Sequence, residues 1–291
     1  MDRLELKSLA KINLGLDVLG KRDNGYHDVR MVMQTIYLYD DVILEKTKEK
    51  GIHVETNLFF LPVDENNIAY KAAKLLIDEF HIEEGISIRL NKFIPVAAGM
   101  AGGSSNAAAV LFGMNKMFEL GLSRQELMDR GVKLGADVPY CIMRGTVLAE
   151  GIGEELTELP PMPKCHILIA KPTVNVSTKT VYEKFDSLKN VKHPDIDGIL
   201  EGLKDQDLYK IASSLGNVLE DVTANEYPVI SQIKEKMIEE GALNALMSGS
   251  GPTVFGIFDD KKKAKEAQLK LKEKNLSRQI YLTSVHNTKR R

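Results

Sequence analysis

The chain has 291 residues, of which 43% are hydrophobic and 27% are charged, and its formal net charge is −2. This is the composition of an ordinary globular protein that is long enough for two domains, and it argues against a class that binds nucleic acid or anionic membranes through a basic surface. Neither an apolar leader nor an uninterrupted apolar run of membrane-spanning length is visible, so we expect a cytoplasmic protein.

In the first half of the chain, some segments have apolar residues at strand spacing and others have them at helical spacing. Alternation of apolar and polar residues indicates strands, and apolar residues at helical spacing indicate helices. The predicted elements are strands over 4–19 and 29–45, a helix over 66–80, a strand over 86–90, and helices from about 104 to 118 and over 123–134. Ser123 and Glu126 are spaced as a capping box for the last of these helices.

The second half begins after the strongest helix and strand breaker in the sequence, the proline-rich tract 159–163. We therefore predict domains over 1–160 and 161–291. The predicted elements that follow are a strand over 166–170, helices between about 178 and 240, strands over 242–247 and 254–258, a helix over 261–274 and a strand over 279–285. Because strands and helices are mixed without strict alternation, the predicted fold class is α+β.

Residues 95–105 form the most informative segment, and we call it the phosphate loop. It consists of Pro95, Val96, Ala97, Ala98, Gly99, Met100, Ala101, Gly102, Gly103, Ser104 and Ser105. Small side chains let backbone N–H groups approach a ligand closely, and the positive end of the following helix points back at the loop. These features predict phosphate binding, with Ser105 as a candidate Mg²⁺ ligand. A tight structural turn is the alternative.

Two charged residues have a chemistry that suits phosphoryl transfer. Asp137 lies between Gly135-Ala136 and Val138-Pro139, where a carboxylate could accept a proton or could equally cap a helix or turn. Lys11 lies in an otherwise apolar strand, where a solvent-facing lysine is the commoner case. The residues alone leave both roles open.

Three motifs together resemble the GHMP kinase superfamily. The central one is Pro-x3-Gly-Met-Ala-Gly-Gly-Ser-Ser-Asn-Ala-Ala in the phosphate loop; residues 10–27 resemble the N-terminal motif and residues 247–256 the C-terminal glycine-rich motif. The resemblance spans nearly the whole chain. It implies a two-domain kinase that uses ATP and Mg²⁺, with its active site in the cleft between the domains. Met100-Ala101 replaces the Leu-Gly that relatives often carry, which keeps the loop small and apolar.

Three segments are more specific, namely 13–16, 23–27 and 135–139. They resemble the branch of the superfamily whose acceptor is a methylerythritol linked to cytidine diphosphate. This resemblance implies transfer of a phosphoryl group to the acceptor's 2-hydroxyl. It makes Asp137 the general base and Lys11 its electrostatic partner, and it assigns Asn13 to orienting the hydroxyl.

The same resemblance implies a slot for the cytosine ring. Tyr26 and Tyr182 would stack on its two faces, and His27 would bond its Watson–Crick edge. Thr178 would lie close to the same substrate, and Asn66 would open the helix beside the adenine pocket. Without the resemblance, Tyr26 and His27 are equally a hairpin tip, Tyr182 is a helix face and Asn66 is a helix cap.

Two alternatives stay open. Another GHMP kinase acting on homoserine or a mevalonate-type acceptor is disfavoured by the Tyr26–His27 loop, because those acceptors have no base to stack. A non-catalytic nucleotide- or RNA-binding module is disfavoured by the retained Lys11 and Asp137 and by the lack of a basic stripe. We expect ATP, Mg²⁺ and a small cytidyl substrate as ligands, no nucleic acid or membrane partner, and a monomer or weak homodimer.

Overall fold

The computed structural model describes residues 1–288, which form eleven strands and ten helices. In chain order they are β1 (Arg3–Lys21), β2 (His27–Thr47), β3 (Ile52–Thr56), α1 (Ile68–Phe80), β4 (Gly85–Asn91), α2 (Gly102–Met117), α3 (Arg124–Val132), α4 (Asp137–Met143), β5 (Thr146–Glu150), β6 (Glu155–Glu158), β7 (His166–Lys171), α5 (Thr178–Phe185), α6 (Ile196–Asp205), α7 (Leu208–Ser213), β8 (Gly216–Asn217), α8 (Glu220–Glu226), α9 (Val229–Glu239), β9 (Asn244–Met247), β10 (Val254–Phe258), α10 (Lys261–Glu273) and β11 (Gln279–Ser284). This mixture confirms the predicted α+β class.

Two sheets organise the strands of the described residues. The larger has seven strands, with β3, β4, β2, β1 and β8 in that order and with β5 and β6 joined through β2. Residues 41–47 of β2 pair antiparallel with β4, and residues 31–34 pair antiparallel with β5. The smaller sheet is wholly antiparallel and has the order β11, β7, β10, β9.

The chain divides into two compact units. The first comprises Met1–Ala10, Leu38–Val96 and Ala101–Met143. In it α1 packs against α2, and α4 packs against α2 and α3. The central helix α2 is buried over most of its length and is rich in alanine, which lets neighbouring helices approach closely. Burial of these small side chains therefore holds the helix that starts in the phosphate loop.

The second unit comprises Lys11–Tyr37, Ala97–Met100 and the chain from Arg144 onward. Its core is the smaller sheet, in which β7 and β10 are buried on both faces and read as continuous apolar runs. Helices α9 and α10 pack on this sheet. The long strands β1 and β2 contribute residues to both units, and so does the phosphate loop.

Most of the long elements agree with the sequence prediction to within a few residues. The capping box of α3 is also confirmed, because the Ser123 hydroxyl accepts from the Glu126 N–H and the Glu126 carboxylate accepts from the Ser123 N–H. Five short elements were not predicted: β3, α4, β5, β6 and β8. Each has seven residues or fewer, so its apolar pattern is too short to show a period. The predicted domain boundary at residue 160 remains a prediction. Over residues 1–288, the helices are all too short or too polar to cross a bilayer.

Candidate active site

The phosphate loop turns sharply because three of its residues have left-handed backbone conformations. Ala97, Gly99 and Ala101 have φ angles of 50°, 70° and 54°. Ala101 is the N-cap of α2 and makes no side-chain capping hydrogen bond. The first N–H groups of α2 are thus left for another acceptor, which is the arrangement that binds phosphate at helix N-termini.

Gly99 lies directly against a second glycine-rich segment, residues 248–253, which we call the C-terminal glycine loop. A Cβ atom added to Gly99 would lie 2.1 Å from the Ser248 carbonyl oxygen. The Ser248 hydroxyl donates to the Gly99 carbonyl at 3.0 Å and accepts from the Asn13 N–H at 3.3 Å. Only glycine fits at position 99, and Ser248 ties this part of the phosphate loop to β1.

Lys11 is on β1 and is 5% exposed, so the interpretation of it as a solvent-facing strand lysine is wrong. Its backbone N–H donates to the Met100 carbonyl at 3.2 Å, and its ammonium donates to the Asn13 side-chain oxygen at 2.6 Å. A buried ammonium is costly unless polar partners surround it. Lys11 and Asn13 therefore form a buried polar pair beside the backbone of the phosphate loop.

A buried asparagine that sequence reasoning missed holds the C-terminal glycine loop in place. The Asn217 amide donates to the carbonyls of Met247 and Gly249, both at 2.8 Å. On the same loop, the Ser250 hydroxyl lies 2.8 Å from the Thr178 hydroxyl at the start of α5. The structure thereby joins the predicted substrate residue Thr178 to the loop that contacts Gly99.

The predicted base-binding residues come together only in part. The rings of His27 and Tyr182 are 4.8 Å apart between centroids, with 36° between their planes. Tyr26 is 58% exposed, in the turn before β2. Asp186, which the sequence did not single out, lies 2.6 Å from His27 Nε2 and accepts from Lys21 Nζ at 2.6 Å.

A buried polar network in the first unit fixes the entry to the phosphate loop. Asp40 accepts the backbone N–H groups of Phe93 at 2.7 Å and Ile94 at 2.8 Å, and it forms an ion pair with Lys92. The Asn106 amide, on α2, accepts from Lys92 Nζ at 2.7 Å and donates to Asp40 at 2.9 Å. These contacts attach both the segment before the loop and the helix after it to one carboxylate. Sequence reasoning missed the network because its members are separated by up to 66 positions.

Asp137 is the first residue of α4 and is half-buried, followed by the buried residues Val138 and Pro139. A carboxylate in the first turn of a helix is stabilised by the helix dipole. The predicted helix opening at Asn66 is displaced by one residue, because Asn67 is the N-cap of α1 and accepts from the N–H of Ala69 at 2.9 Å. The Asn66 side chain instead donates to Asp64 at 3.0 Å.

Ser105 has a structural contact in this arrangement. It is 3% exposed, and its hydroxyl donates to the Leu9 carbonyl at 2.7 Å. This geometry favours an anchoring role for Ser105 over the role of a metal ligand. In the part of the chain that the structure describes, His, Cys, Asp and Glu side chains do not gather in any group of three or more that could hold a metal ion.

The fold and the phosphate loop define a nucleotide-dependent kinase, and comparison with known proteins identifies its family. Residues 67–145 match the model of the GHMP kinases N terminal domain, and residues 192–276 match that of the GHMP kinases C terminal domain. The chain belongs to the GHMP kinase family. It is a small-molecule kinase of that family.

Individual relatives are more specific. The chain is 61% identical over 285 residues to the 4-diphosphocytidyl-2-C-methyl-D-erythritol kinase of Lachnospira eligens, which covers 98% of this chain and 99% of the relative. It is 56% identical to the protein of that name from Lachnoclostridium phytofermentans, over 99% of both chains. A crystal structure of 4-(cytidine 5'-diphospho)-2C-methyl-D-erythritol kinase superposes with a TM-score of 0.83 at 28% identity, over 98% of this chain and 100% of the other.

Proposed function

We propose that this protein transfers the γ-phosphoryl group of ATP to the 2-hydroxyl of 4-diphosphocytidyl-2-C-methyl-D-erythritol, a step of the non-mevalonate route to isoprenoid precursors. The observation that carries the proposal is the 61% identity, over nearly the whole of both chains, to a relative named for this kinase activity. The site geometry supports it, because the chain has a glycine-rich loop at the uncapped start of α2, a buried ammonium and a pair of packed rings.

The phosphate loop is proposed to bind the triphosphate of ATP through backbone N–H groups. Its left-handed turns and the uncapped start of α2 expose amides where a polyphosphate could accept from them. Asn66 is proposed to lie beside the adenine. The network around Asp40 supports the proposed role of the phosphate loop, since it fixes both the segment before the loop and helix α2 after it.

Asp137 is proposed to accept the proton of the 2-hydroxyl as its oxygen attacks the γ-phosphorus and ADP leaves. Phosphoryl transfer needs little more from a protein than such a base, correct positioning and stabilisation of charge. Lys11 is proposed to supply the charge, since its buried ammonium would stabilise negative oxygens more strongly than an exposed one would. Asn13, which accepts from that ammonium, is proposed to orient the acceptor hydroxyl.

The cytidine end of the acceptor is proposed to bind at Tyr26, His27 and Tyr182, with Thr178 close to the same substrate. The contact between the rings of His27 and Tyr182 supports a shared aromatic surface, and the exposed ring of Tyr26 is available to cover a base. The Thr178–Ser250 contact supports placing Thr178 near the C-terminal glycine loop.

Mg²⁺ is proposed to enter with ATP, bound through the phosphate oxygens, and it would neutralise part of their charge. Kinases commonly hold Mg²⁺ through one or two carboxylates together with substrate phosphates.

An acceptor panel tests the proposed substrate. The purified protein is given ATP and Mg²⁺ with the cytidyl acceptor, homoserine or mevalonate, and ADP release and phosphorylated product are both measured. We expect turnover of the cytidyl acceptor alone. Preferential phosphorylation of homoserine or mevalonate would move the protein to another branch of the family, and RNA binding without kinase activity would support the non-catalytic alternative.

A single substitution tests the base. Asp137→Ala should abolish turnover while leaving nucleotide affinity within about twofold, because the carboxylate acts in the transition state rather than in ATP binding. Retention of more than about a tenth of the wild-type kcat, a loss below ~1.4 kcal/mol, would show that Asp137 is not the base. The nucleotide affinity of the variant, measured by titration, serves as the control for folding.

A further inference from the structure

His27 is held by a carboxylate that the reaction itself does not require. His27 Nε2 lies 2.6 Å from an oxygen of Asp186, and the two side chains are 8% and 23% exposed. His27 opens β2, while Asp186 is the C-cap of α5, so the contact joins segments 159 residues apart. A short, partly buried contact of this kind restricts the imidazole to one orientation.

The contact also determines which ring nitrogen carries hydrogen. Lys21 donates to the other Asp186 oxygen at 2.6 Å, and this hydrogen bond, assisted by the one from His27, keeps the pKa of Asp186 below its ordinary value despite partial burial. An ionised carboxylate can only accept hydrogen bonds, so the nitrogen that faces it must be the donor. In the neutral imidazole, Nε2 then carries the hydrogen and Nδ1 is left as an acceptor.

The ring is fixed from a second side by the same helix. Tyr182 packs on His27 with ring centroids 4.8 Å apart. Tyr182 and Asp186 are four residues apart at the end of α5, a spacing that places side chains on the same face of a helix. One helical face therefore supplies both the aromatic support and the hydrogen-bond acceptor that orient His27.

We propose that Asp186 is a positioning residue that sets the choice between cytosine and uracil in the acceptor. It holds His27 as the Nε2–H tautomer, whose free Nδ1 accepts a hydrogen bond from the exocyclic amino group of cytosine. Uracil presents a carbonyl oxygen at that position, and two acceptors facing each other cannot bond. This inference rests on the proposed function, because it requires a cytidyl acceptor bound at His27.

Paired kinetics on two acceptors test the inference. Wild type, Asp186→Ala and Asp197→Ala are compared on the cytidyl acceptor and on its uridyl analogue. Asp197 is the matched control, since it is also a surface aspartate paired with a cation, Arg30, at 2.7 Å, and it has no proposed part in base binding.

We expect Asp186→Ala to lower the cytidyl-over-uridyl ratio of kcat/KM by about tenfold or more, the effect of one well-placed hydrogen bond. The change should lie in the acceptor KM, with kcat and the KM for ATP within about twofold of wild type. Asp197→Ala should keep the wild-type ratio. An unchanged ratio in Asp186→Ala, or a loss confined to kcat, would overturn the inference.

The tautomer is measured directly on the wild-type protein, which makes the test independent of how the variant folds. Nitrogen-15 NMR of the imidazole should show Nε2 protonated and Nδ1 free in neutral His27, and the Nδ1–H tautomer would refute the inference. A wild-type protein that does not phosphorylate the cytidyl acceptor would instead refute the proposed function. The two failures are therefore distinguishable.

Discussion

Replacing Gly99 with alanine tests whether the two glycine-rich loops must touch for the protein to work. Gly99 has a φ of 70°, and the added Cβ atom would lie 2.1 Å from the Ser248 carbonyl oxygen. Cβ atoms essentially never come within 3.0 Å of such an atom, and their ordinary contacts start at 3.4 Å, so the two loops must separate by about 0.9–1.3 Å, the differences between these values and 2.1 Å. The Ser248–Gly99 hydrogen bond of 3.0 Å is then lost.

The expected loss of stability follows from the backbone strain of alanine at position 99 and from the lost hydrogen bond. A left-handed conformation costs alanine about 1–2 kcal/mol relative to glycine, and the lost hydrogen bond adds about 0.5–1.5 kcal/mol. We expect the free energy of unfolding to fall by about 2–3 kcal/mol. Because a displacement of about 1 Å at a catalytic site can lower the rate about 100-fold, kcat/KM for ATP should fall by about that factor.

Gly121→Ala is the matched control. Gly121 has a φ of 71°, almost the same as Gly99, but its Cβ atom would meet nothing within 4 Å. This variant should lose only the strain term, about 1–2 kcal/mol of stability, and should keep wild-type kinetics, as measured by thermal melting and steady-state assays with varied ATP. Equal behaviour of the two variants would refute the reasoning, since it would mean that backbone strain alone, and not contact between the loops, governs position 99.

Three further predictions use buried groups elsewhere in the second unit. Asn217→Ala removes both hydrogen bonds that hold the C-terminal glycine loop. We expect thermal melting to show that the free energy of unfolding falls by about 1–3 kcal/mol, and we expect the KM for ATP to rise. Unchanged values would contradict the anchoring role of Asn217. Burial raises the pKa of the Cys165 thiol to about 12, so a Cys141→Ser variant should react with a disulfide reagent at about pH 8 only after unfolding, and fast labelling of the native protein would refute this. Burial, followed by the charge of Arg144, lowers the pKa of His286 below its ordinary value of 6.5. As the pH falls, the unfolded chain therefore binds a proton at His286 more readily than the folded protein does. The stability that this residue contributes is present above about pH 6.5 and is lost at lower pH. Between about pH 7.5 and 5.5 the melting temperature of His286→Gln should accordingly decline less than that of wild type, and parallel declines would show that His286 does not contribute.

Long periodic segments were predictable because their signal is local. Strand alternation in β1 and β2 and helical spacing in α1, α2 and α10 are visible in the sequence over at least 13 residues each. A tight turn at residues 95–105 was predictable from composition, since several small residues, glycines among them, come just before a predicted helix. Its conformation was not, because two of its three left-handed residues are alanines, which the sequence does not mark as such.

The burial of Lys11 could not be predicted from the sequence alone. A lysine in an apolar strand is exposed in most proteins, and only the fold shows that this one is 5% exposed and bonded to Asn13. Likewise, the start of α1 depended on which of two adjacent asparagines caps the helix. Both residues suit an N-cap equally well by type, and only the structure shows that Asn67 is the cap.

By itself, the sequence determined the long strands and helices, the family motifs and the place of the phosphate loop, since each depends on residues that are neighbours along the chain. Only the tertiary structure decided that Ser248 bonds to Gly99, that Asp40 anchors the loop's entry and that Asp186 holds His27. Those contacts join residues 53 to 159 positions apart. Their formation depends on how strands pair and helices pack, and no local pattern of side chains records that.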